Sequence, residues 1–310
     1  MKVTISGFYD EVSSNLDEQI ALVRELGEKY ICPRRVDGKN IADYTAEEFQ
    51  KTIKPRLDAA GIGFSSIGSP IGKVKIDDEE GFNRQLKQLK ELVAIAQMMN
   101  CKYIRVFSFF VPQNGDPADY RDKVIEKMKK FVAVTEGTDV VLLHENEKKI
   151  YGDTADRAID VYESVASPHL QLCYDASNFI QVGENPNEAF EKLKDKVVYF
   201  HIKDCDKETK VEVPMGLGST DYKKIFDELE EMDYEGFMTL EPHTAKYAIG
   251  RKYVYYIPFA RYIVPNFYKA FKYIDEKLVI SKSANITRKD VFVLQYKNLK
   301  KFIEEAGERA

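Results

Sequence analysis

Apolar residues along the chain fall into two alternating patterns. Short runs rich in β-branched and aromatic residues stand at VTISGF (3–8), YIC (30–32), GIGFSSIG (61–68), CKYIRVFSFF (101–110), DVVLLHE (139–145), LQLCYD (170–175), KVVYFHIK (196–203) and EGFMTLE (235–241). Between them apolar positions recur at helical spacing: over about 15–29 (Ile20, Leu22, Val23, Leu26), from Thr45 to Gly61, and over about 79–99, 119–136, 154–166, 186–194 and 221–232. Thr45 and Glu48 have capping-box spacing, and Asn185, Pro186 and Glu188 open the helix at 186–194 as cap, first and third positions. Repeated strand–helix units need crossover connections and hence a parallel sheet covered by helices, and eight in roughly 250 residues match a closed (β/α)8 barrel. An open doubly wound sheet is the alternative, but SGFYDEVSS after the first strand holds one glycine and no G-x-G-x-x-G turn.

The pattern changes after Glu241. Residues 245–278 are rich in aromatic and basic side chains, and DVFVLQYKNLKKFIEEAG (290–307) follows as a further helix. Taking that last helix as the eighth of the barrel makes 245–285 an insertion in the final βα loop, with Tyr253, Tyr255, Tyr256 and Phe259 placed to narrow the mouth. The competing reading is a helical extension on the outer wall or at a subunit contact. With no Pro/Gly/Ser-rich linker in the first 240 residues, residues 1–310 are expected to form one domain.

Composition then excludes several classes. The 310 residues are 44% hydrophobic and 31% charged, enough for a large core and a solvated surface. A net charge of -5 speaks against general affinity for nucleic acid, and no apolar run of membrane-spanning length occurs. The start MKVTISGFYDE lacks the order of a secretory signal, so a cytoplasmic protein is expected. Cys32, Cys101, Cys173 and Cys205 show no C-x-x-C spacing and read as reduced thiols.

The chemistry is expected at the C-terminal ends of the strands, where barrels of this kind carry their reactive groups. Glu145, Asp175, His201 and Glu241 end four successive apolar runs. Three carboxylates and an imidazole converging on one centre repel one another unless a divalent cation sits between them, and this donor set suits Mn²⁺, Mg²⁺, Co²⁺ or Zn²⁺. Alternation along strands puts Glu147 with Glu145 and Lys203 with His201, turns His144 toward the helices, and leaves His243 undecided. His144 and His169 are expected to be structural.

These residues resemble the xylose-isomerase-like barrel superfamily, in particular its sugar phosphate isomerase/epimerase group of ketose 3-epimerases, hydroxypyruvate isomerases and inosose dehydratases. The resemblance covers residues 1 to about 243 and rests on FYDEVSSNLDEQ (8–19), RRVDGKNIAD (34–43), IGSPIGK (67–73), HENEKKIYGDT (144–154), YDASNF (174–179), HIKD (201–204), PMGLGSTDY (214–222) and LEPH (240–243). It implies that Glu145, Asp175, His201 and Glu241 are metal ligands and that Glu145 and Glu241 form the acid/base pair. One removes a proton α to a carbonyl and the metal steadies the enediolate. Reprotonation gives epimerisation or isomerisation, and loss of a β-hydroxyl gives dehydration.

Arg35, Ser69, Asn178, Lys203 and Lys207 are the substrate-binding candidates, with a small carbohydrate as substrate and a homodimer as the implied assembly. Asn178 and Lys207 stand where ketose epimerases carry histidine and arginine, and Cys32 and Pro33 replace an acidic position of relatives, which leaves the sugar open. Lys73, Arg105 and Lys207 read equally as phosphate contacts or surface charges. The superfamily's abasic-site endonucleases need more histidines than the four present, with Ser69, Ser108 and Asn178 at the relevant places. A sugar-binding barrel without turnover is the remaining alternative, against which the pair of glutamates speaks.

Overall fold

A computed structural model describes residues 1–309; Ala310, the last residue of the expected domain, lies outside the described residues. Eight parallel strands line up with the eight apolar runs: β1 Lys2–Gly7, β2 Tyr30–Ile31, β3 Gly63–Phe64, β4 Tyr103–Val106, β5 Val141–Glu145, β6 Leu170–Asp175, β7 Val197–Ile202 and β8 Glu235–Leu240. Six pair continuously in the order β1-β8-β7-β6-β5-β4, and β2 pairs with β3. One hydrogen bond closes the first seam and two close the second. Cys32 N donates to Gly7 O (3.0 Å), while Ile67 N donates to Tyr103 O and Arg105 N to Ile67 O (both 2.9 Å). The sheet is therefore a closed (β/α)8 barrel rather than an open one.

Around it stand α1 Leu16–Glu25, α2 Ala46–Thr52, α3 Lys54–Ala60, α4 Glu79–Met98, α5 Arg121–Ala133, α6 Ala155–Val165, α7 Ala176–Val182, α8 Pro186–Leu193 and α9 Tyr222–Glu231. The single helix expected over 45–61 is two, because Pro55 has no N–H to donate and the chain breaks at Ile53 just before it. The capping expectations hold: Thr45 accepts from Glu48 N, and Asn185 from Asn187 N and Glu188 N. Gly72 (φ +91°) lets the β3 loop press on the β4 loop, where a Cβ would lie 1.8 Å from Phe107 O.

Inside the barrel Tyr103, Leu143, Cys173, Tyr199 and Phe237 form an apolar floor. Above it Tyr199 donates to Ser65 Oγ (2.8 Å), and Ser65 donates to Ser6 Oγ (2.7 Å). This satisfied polar layer carries the charged side chains at the strand ends.

Past β8 come α10 Thr244–Tyr256, α11 Ala260–Ile263, α12 Pro265–Lys277 and α13 Arg288–Arg309. The last of these stands between α9 and the end of α1: Arg309 reaches Asp227, and Tyr296 donates to Leu26 O (2.9 Å) and Glu28 Oε1 (2.8 Å). Helices α10–α12 thus leave the barrel between its last strand and its last helix. Their inner face, Tyr247, Ala248, Val254, Ala270, Phe271 and Ile274, packs on Val211, Val213 and Val291. Tyr253, Tyr256 and Phe259, three of the aromatics expected at the mouth, are 61%, 68% and 73% exposed. The insertion is pinned by buried Arg251, whose Nε lies 2.8 Å from Asp275 Oδ1 and whose other nitrogens donate to the carbonyls of Ser281 (2.6 Å) and Ala284 (2.9 Å). Asp275→Ala strands that guanidinium, at a cost of about 3–5 kcal/mol. Limited proteolysis should then cut within 244–287 while barrel peptides stay protected.

Candidate metal and acid–base centre

The predicted quartet converges. Asp175 and His201 are opposite each other in the β6–β7 register, Glu145 ends β5, and Glu241 follows β8 with its N–H on Ile202 O (3.1 Å). All four are at most 4% exposed. One ligand atom from each lies within 4.8 Å of every other. His201 Nδ1 stands between the two glutamates, 3.0 Å from Glu145 Oε1 and 3.5 Å from Glu241 Oε2.

Three more charges hold this arrangement. Buried Arg105 points Nη1 at Glu145 Oε2 (3.0 Å) and Glu241 Oε1 (3.8 Å), and its remaining nitrogens donate to Ser69 O (3.3 Å) and Gly68 O (3.2 Å). Lys203 Nζ lies 2.9 Å from Asp175 Oδ2 and 3.6 Å from Glu241 Oε2. Arg34 joins Asp10 Oδ2 (2.9 Å), Glu241 Oε1 (3.3 Å) and Glu11 Oε1 (3.6 Å). Burial pushes the Glu145 carboxyl up, but His201 and Arg105 outweigh it and hold it at about 2. For Asp175 burial wins over Lys203, and its pKa rises to about 7.

The other candidates separate. Asn178 donates to Asn146 O (2.7 Å) and approaches Glu145 Oε1 (3.4 Å), so it braces the β5 end. Ser69 gives its hydroxyl to Arg105 O, a wall contact behind the centre. Lys207 is exposed on the loop after β7, beside a cavity of about 390 Å³ that Lys210, Glu184 and Ser219 also line, away from the quartet. Arg35 does not reach the site. It lies in a two-strand hairpin with Lys39–Asn40 whose tight turn uses Asp37 and Gly38 at positive φ, and its guanidinium donates to Gly38 O. Arg34, one residue earlier, faces the centre instead.

Arg105 was open between phosphate contact and surface charge; it is neither, being 4% exposed among carboxylates. The signal for it is its place two residues after Tyr103 on the same face of β4. Asp10, Glu11 and Arg34 lie within motifs the resemblance rests on, yet no periodicity singles them out. His243, undecided from sequence, sits in left-handed backbone (φ 51°) between Glu212 Oε1 (3.1 Å) and Glu241 Oε1 (3.5 Å). Burial and Lys203 pull its pKa down, but the two glutamates win and raise it to about 9.

The donor set fits a divalent cation. His201 Nε2 is buried and makes no hydrogen bond, and Asp175 Oδ2, Glu241 Oε2 and His201 Nδ1 have ion-pair contacts in place of hydrogen bonds. Metal–ligand bonds of about 2.0–2.2 Å put ligands within about 4.4 Å of one another, close to the spacing here. Glu145, Asp175, His201 and Glu241 are the side chains that would hold the ion.

A model of the xylose isomerase-like TIM barrel matches residues 20–256. The chain belongs to that family. This xylose isomerase-like barrel is 22% identical over 236 residues to the inosose dehydratase of Geobacillus kaustophilus, covering 66% of the chain and 75% of the relative. Among solved structures it resembles a D-tagatose 3-epimerase-like protein (TM-score 0.71, 14% identity, 100% and 99% of the two chains). It also resembles the IOLI protein with a bound zinc atom (TM-score 0.66, 17% identity, 99% of each). Among the described residues no helix is long and apolar enough to cross a membrane.

Two measurements test the site. Removing divalent ions with a chelator should lower stability, and returning them at a hundredfold excess over Kd should restore about 3 kcal/mol, an effect absent in Asp175→Asn. His144, turned outward as alternation requires, is buried with Nε2 on Ser108 Oγ (2.9 Å), and burial pushes its pKa down to about 4. Because the unfolded imidazole takes up a proton near pH 6.5 and the folded one only near 4, stability falls as pH drops through that window, by up to about 3 kcal/mol. Acid denaturation of His144→Gln should lack that component.

Proposed function

We propose that this barrel is a divalent-metal-dependent sugar isomerase or epimerase that works by proton transfer between carbon and two glutamates. The observation that carries the reading is the placement of Glu145 and Glu241 on either side of His201, with Asp175 completing a set able to hold a cation. A bound divalent ion supplies Lewis-acid polarisation of a carbonyl and its neighbouring hydroxyl.

The chain's own residues do the rest. His201 and Arg105 together outweigh burial and keep Glu145 ionised at neutral pH, so this carboxylate is ready to take a proton from the carbon next to the carbonyl. Glu241 faces the same space from β8 and accepts ion pairs from Arg34 and Lys203, which orient it toward the opposite face of the enediolate. Return of the proton to the same carbon from the other side epimerises it; return to the neighbouring carbon interconverts aldose and ketose. The apolar floor of Tyr103, Leu143, Cys173, Tyr199 and Phe237 keeps the centre dry from below, and a protected enediolate survives long enough to be reprotonated.

Dehydration is the second reading, favoured by the inosose dehydratase relative. It begins with the same proton removal and ends with loss of a β-hydroxyl as water.

The test is solvent exchange. Metal-loaded protein incubated in deuterium oxide with ketoses and inososes should incorporate deuterium at one carbon. Glu145→Gln and Glu241→Gln should each lower the rate by about 10²–10⁴-fold while still binding substrate. Wild-type exchange in either variant removes the paired-glutamate mechanism, and water loss without exchange into recovered substrate selects the dehydratase.

A further inference from the structure

We propose that the tip of the insertion, residues 253–267, docks on an anionic lipid surface. Helices α10–α12 are apolar on two faces. The inner face packs on Val211, Val213 and Val291, while Tyr253, Tyr256, Ile257, Phe259, Tyr262 and Ile263 face solvent, 47–73% exposed. A helical segment apolar on both sides has surface left to bury, and so many large apolar side chains on successive turns exceed the scattered exposure of an ordinary surface.

Phe259 marks this surface further. Its backbone is left-handed (φ 64°), a conformation that strains a bulky residue, yet the side chain is 73% exposed, so little packing within the chain offsets that strain. The tip is also firmly mounted. Arg251 fixes α10 to Asp275 of α12 (2.8 Å), and Asn266 Nδ2 donates to Thr209 O (3.1 Å), which ties the tip to the loop after β7.

Charge decides which partner fits. Residues 244–287 hold eight Lys and Arg against Asp275 and Glu276, a net +6 in a chain whose total is -5, so the rest of the chain carries -11. No acidic residue occurs from 244 to 274. Asp275 is taken by Arg251, and Glu276 stands 3.5 Å from Lys272. Four further exposed cations have uncharged neighbours: Arg261 lies over Tyr262 (4.6 Å), Lys277 over Tyr273 (5.6 Å) and Lys282 over Tyr255 (5.6 Å), and Lys252 donates to Asn285 Oδ1 (2.8 Å). Among the described residues these four form no ion pair with an acidic group. Lys269, on α12, is exposed as well.

Protruding aromatic and aliphatic side chains flanked by free cations match the headgroup layer of an anionic bilayer, where phosphates meet the cations and the apolar groups enter the acyl boundary. Tyr253, Tyr256 and Tyr262 suit the same depth, with the ring inward and the hydroxyl in the wet layer. A second copy fits less well, because a two-fold contact sets the same patch against itself and brings Arg261 and Lys252 toward like charge. An acidic protein would match the sign but must supply a shaped pocket for each projecting anchor, which a fluid bilayer need not.

The test mixes the full-length protein with vesicles of phosphatidylcholine alone and of phosphatidylcholine with phosphatidylglycerol, and reads binding by co-sedimentation. The net charge of the whole chain is negative and opposes binding to the anionic vesicles, so attachment there reports the patch. Anionic vesicles should bind about tenfold or more tightly than neutral ones, and the difference should shrink as salt is added. Arg261→Glu with Lys269→Glu, and separately Phe259→Ser with Ile263→Ser, should each weaken binding about tenfold or more with the melting temperature unchanged. The chain has no tryptophan, so Phe259→Trp provides a reporter at the tip whose emission should shift to the blue on anionic vesicles. Absence of wild-type binding at low salt, binding that both paired variants retain, or a Phe259→Trp emission unmoved by bound vesicles overturns the proposal. Self-association, or capture by polyglutamate, in place of vesicle binding overturns it in favour of a second copy or an acidic protein.

Discussion

Mutual repulsion among carboxylates buried at one end of a barrel is the constraint to which the rest of the molecule answers. Glu145, Asp175 and Glu241 crowd around a single imidazole with almost no solvent contact. Desolvating three like charges together is unaffordable unless positive charge enters the same volume. Arg105, Lys203 and Arg34 provide it from β4, the end of β7 and the end of β2, each reaching at least one member of the quartet. Between these cations atoms of Asp175, His201 and Glu241 still lack hydrogen bonds, and that residual demand is what suits the place to a divalent ion.

The barrel makes such crowding affordable because it is rigid. Tyr199, packed by Tyr103 below and touching His201 edge-on above (5.8 Å), hands its hydroxyl to Ser65 and fixes the height at which the charged layer begins. Side chains locked in this way cannot relax apart, so electrostatic strain is met by pKa shifts and ion pairs instead of by movement. The opposite directions for Glu145 and Asp175, one held down by His201 and Arg105 and the other lifted by burial, show how finely position divides two like groups.

Much of this was legible before any coordinates. Period-two runs that end in Glu145, Asp175, His201 and Glu241 gave both the strands and the phase that aims those residues inward, because β5 to β8 are regular. Legibility fell where the backbone leaves the regular period. The resemblance pointed to Arg35, but that residue opens the hairpin after β2 and turns its guanidinium back onto Gly38, while Arg34 before it faces the centre. β2 and β3, two residues each, are held by seam bonds of Cys32 and Ile67 that no side-chain pattern reveals. Arg105 was hidden for another reason: a lone arginine looks the same whether its partners are water or carboxylates forty residues and more away. Lys207 was placed by analogy of spacing, and the hairpin in which Asp204–Cys205 pairs with Glu212–Val213 carries it outward.

The tetrapeptide HIKD shows why some motifs in this chain are compact while others are scattered. His201 and Lys203 share one face of the strand end and enter the charged layer. Ile202 between them turns to the helix side, its carbonyl receiving Glu241 N (3.1 Å) and Gln295 Nε2 (3.2 Å), which ties β7 to the residue after β8 and to α13. Asp204 then gathers the backbone of the following glycine loop. Four consecutive residues therefore set a ligand, fix the neighbouring strand's glutamate, neutralise Asp175 and close the loop above. The same loop is sealed by that internal carboxylate, while Arg34, Lys73 and His243 are paired charges on the more open side of the quartet.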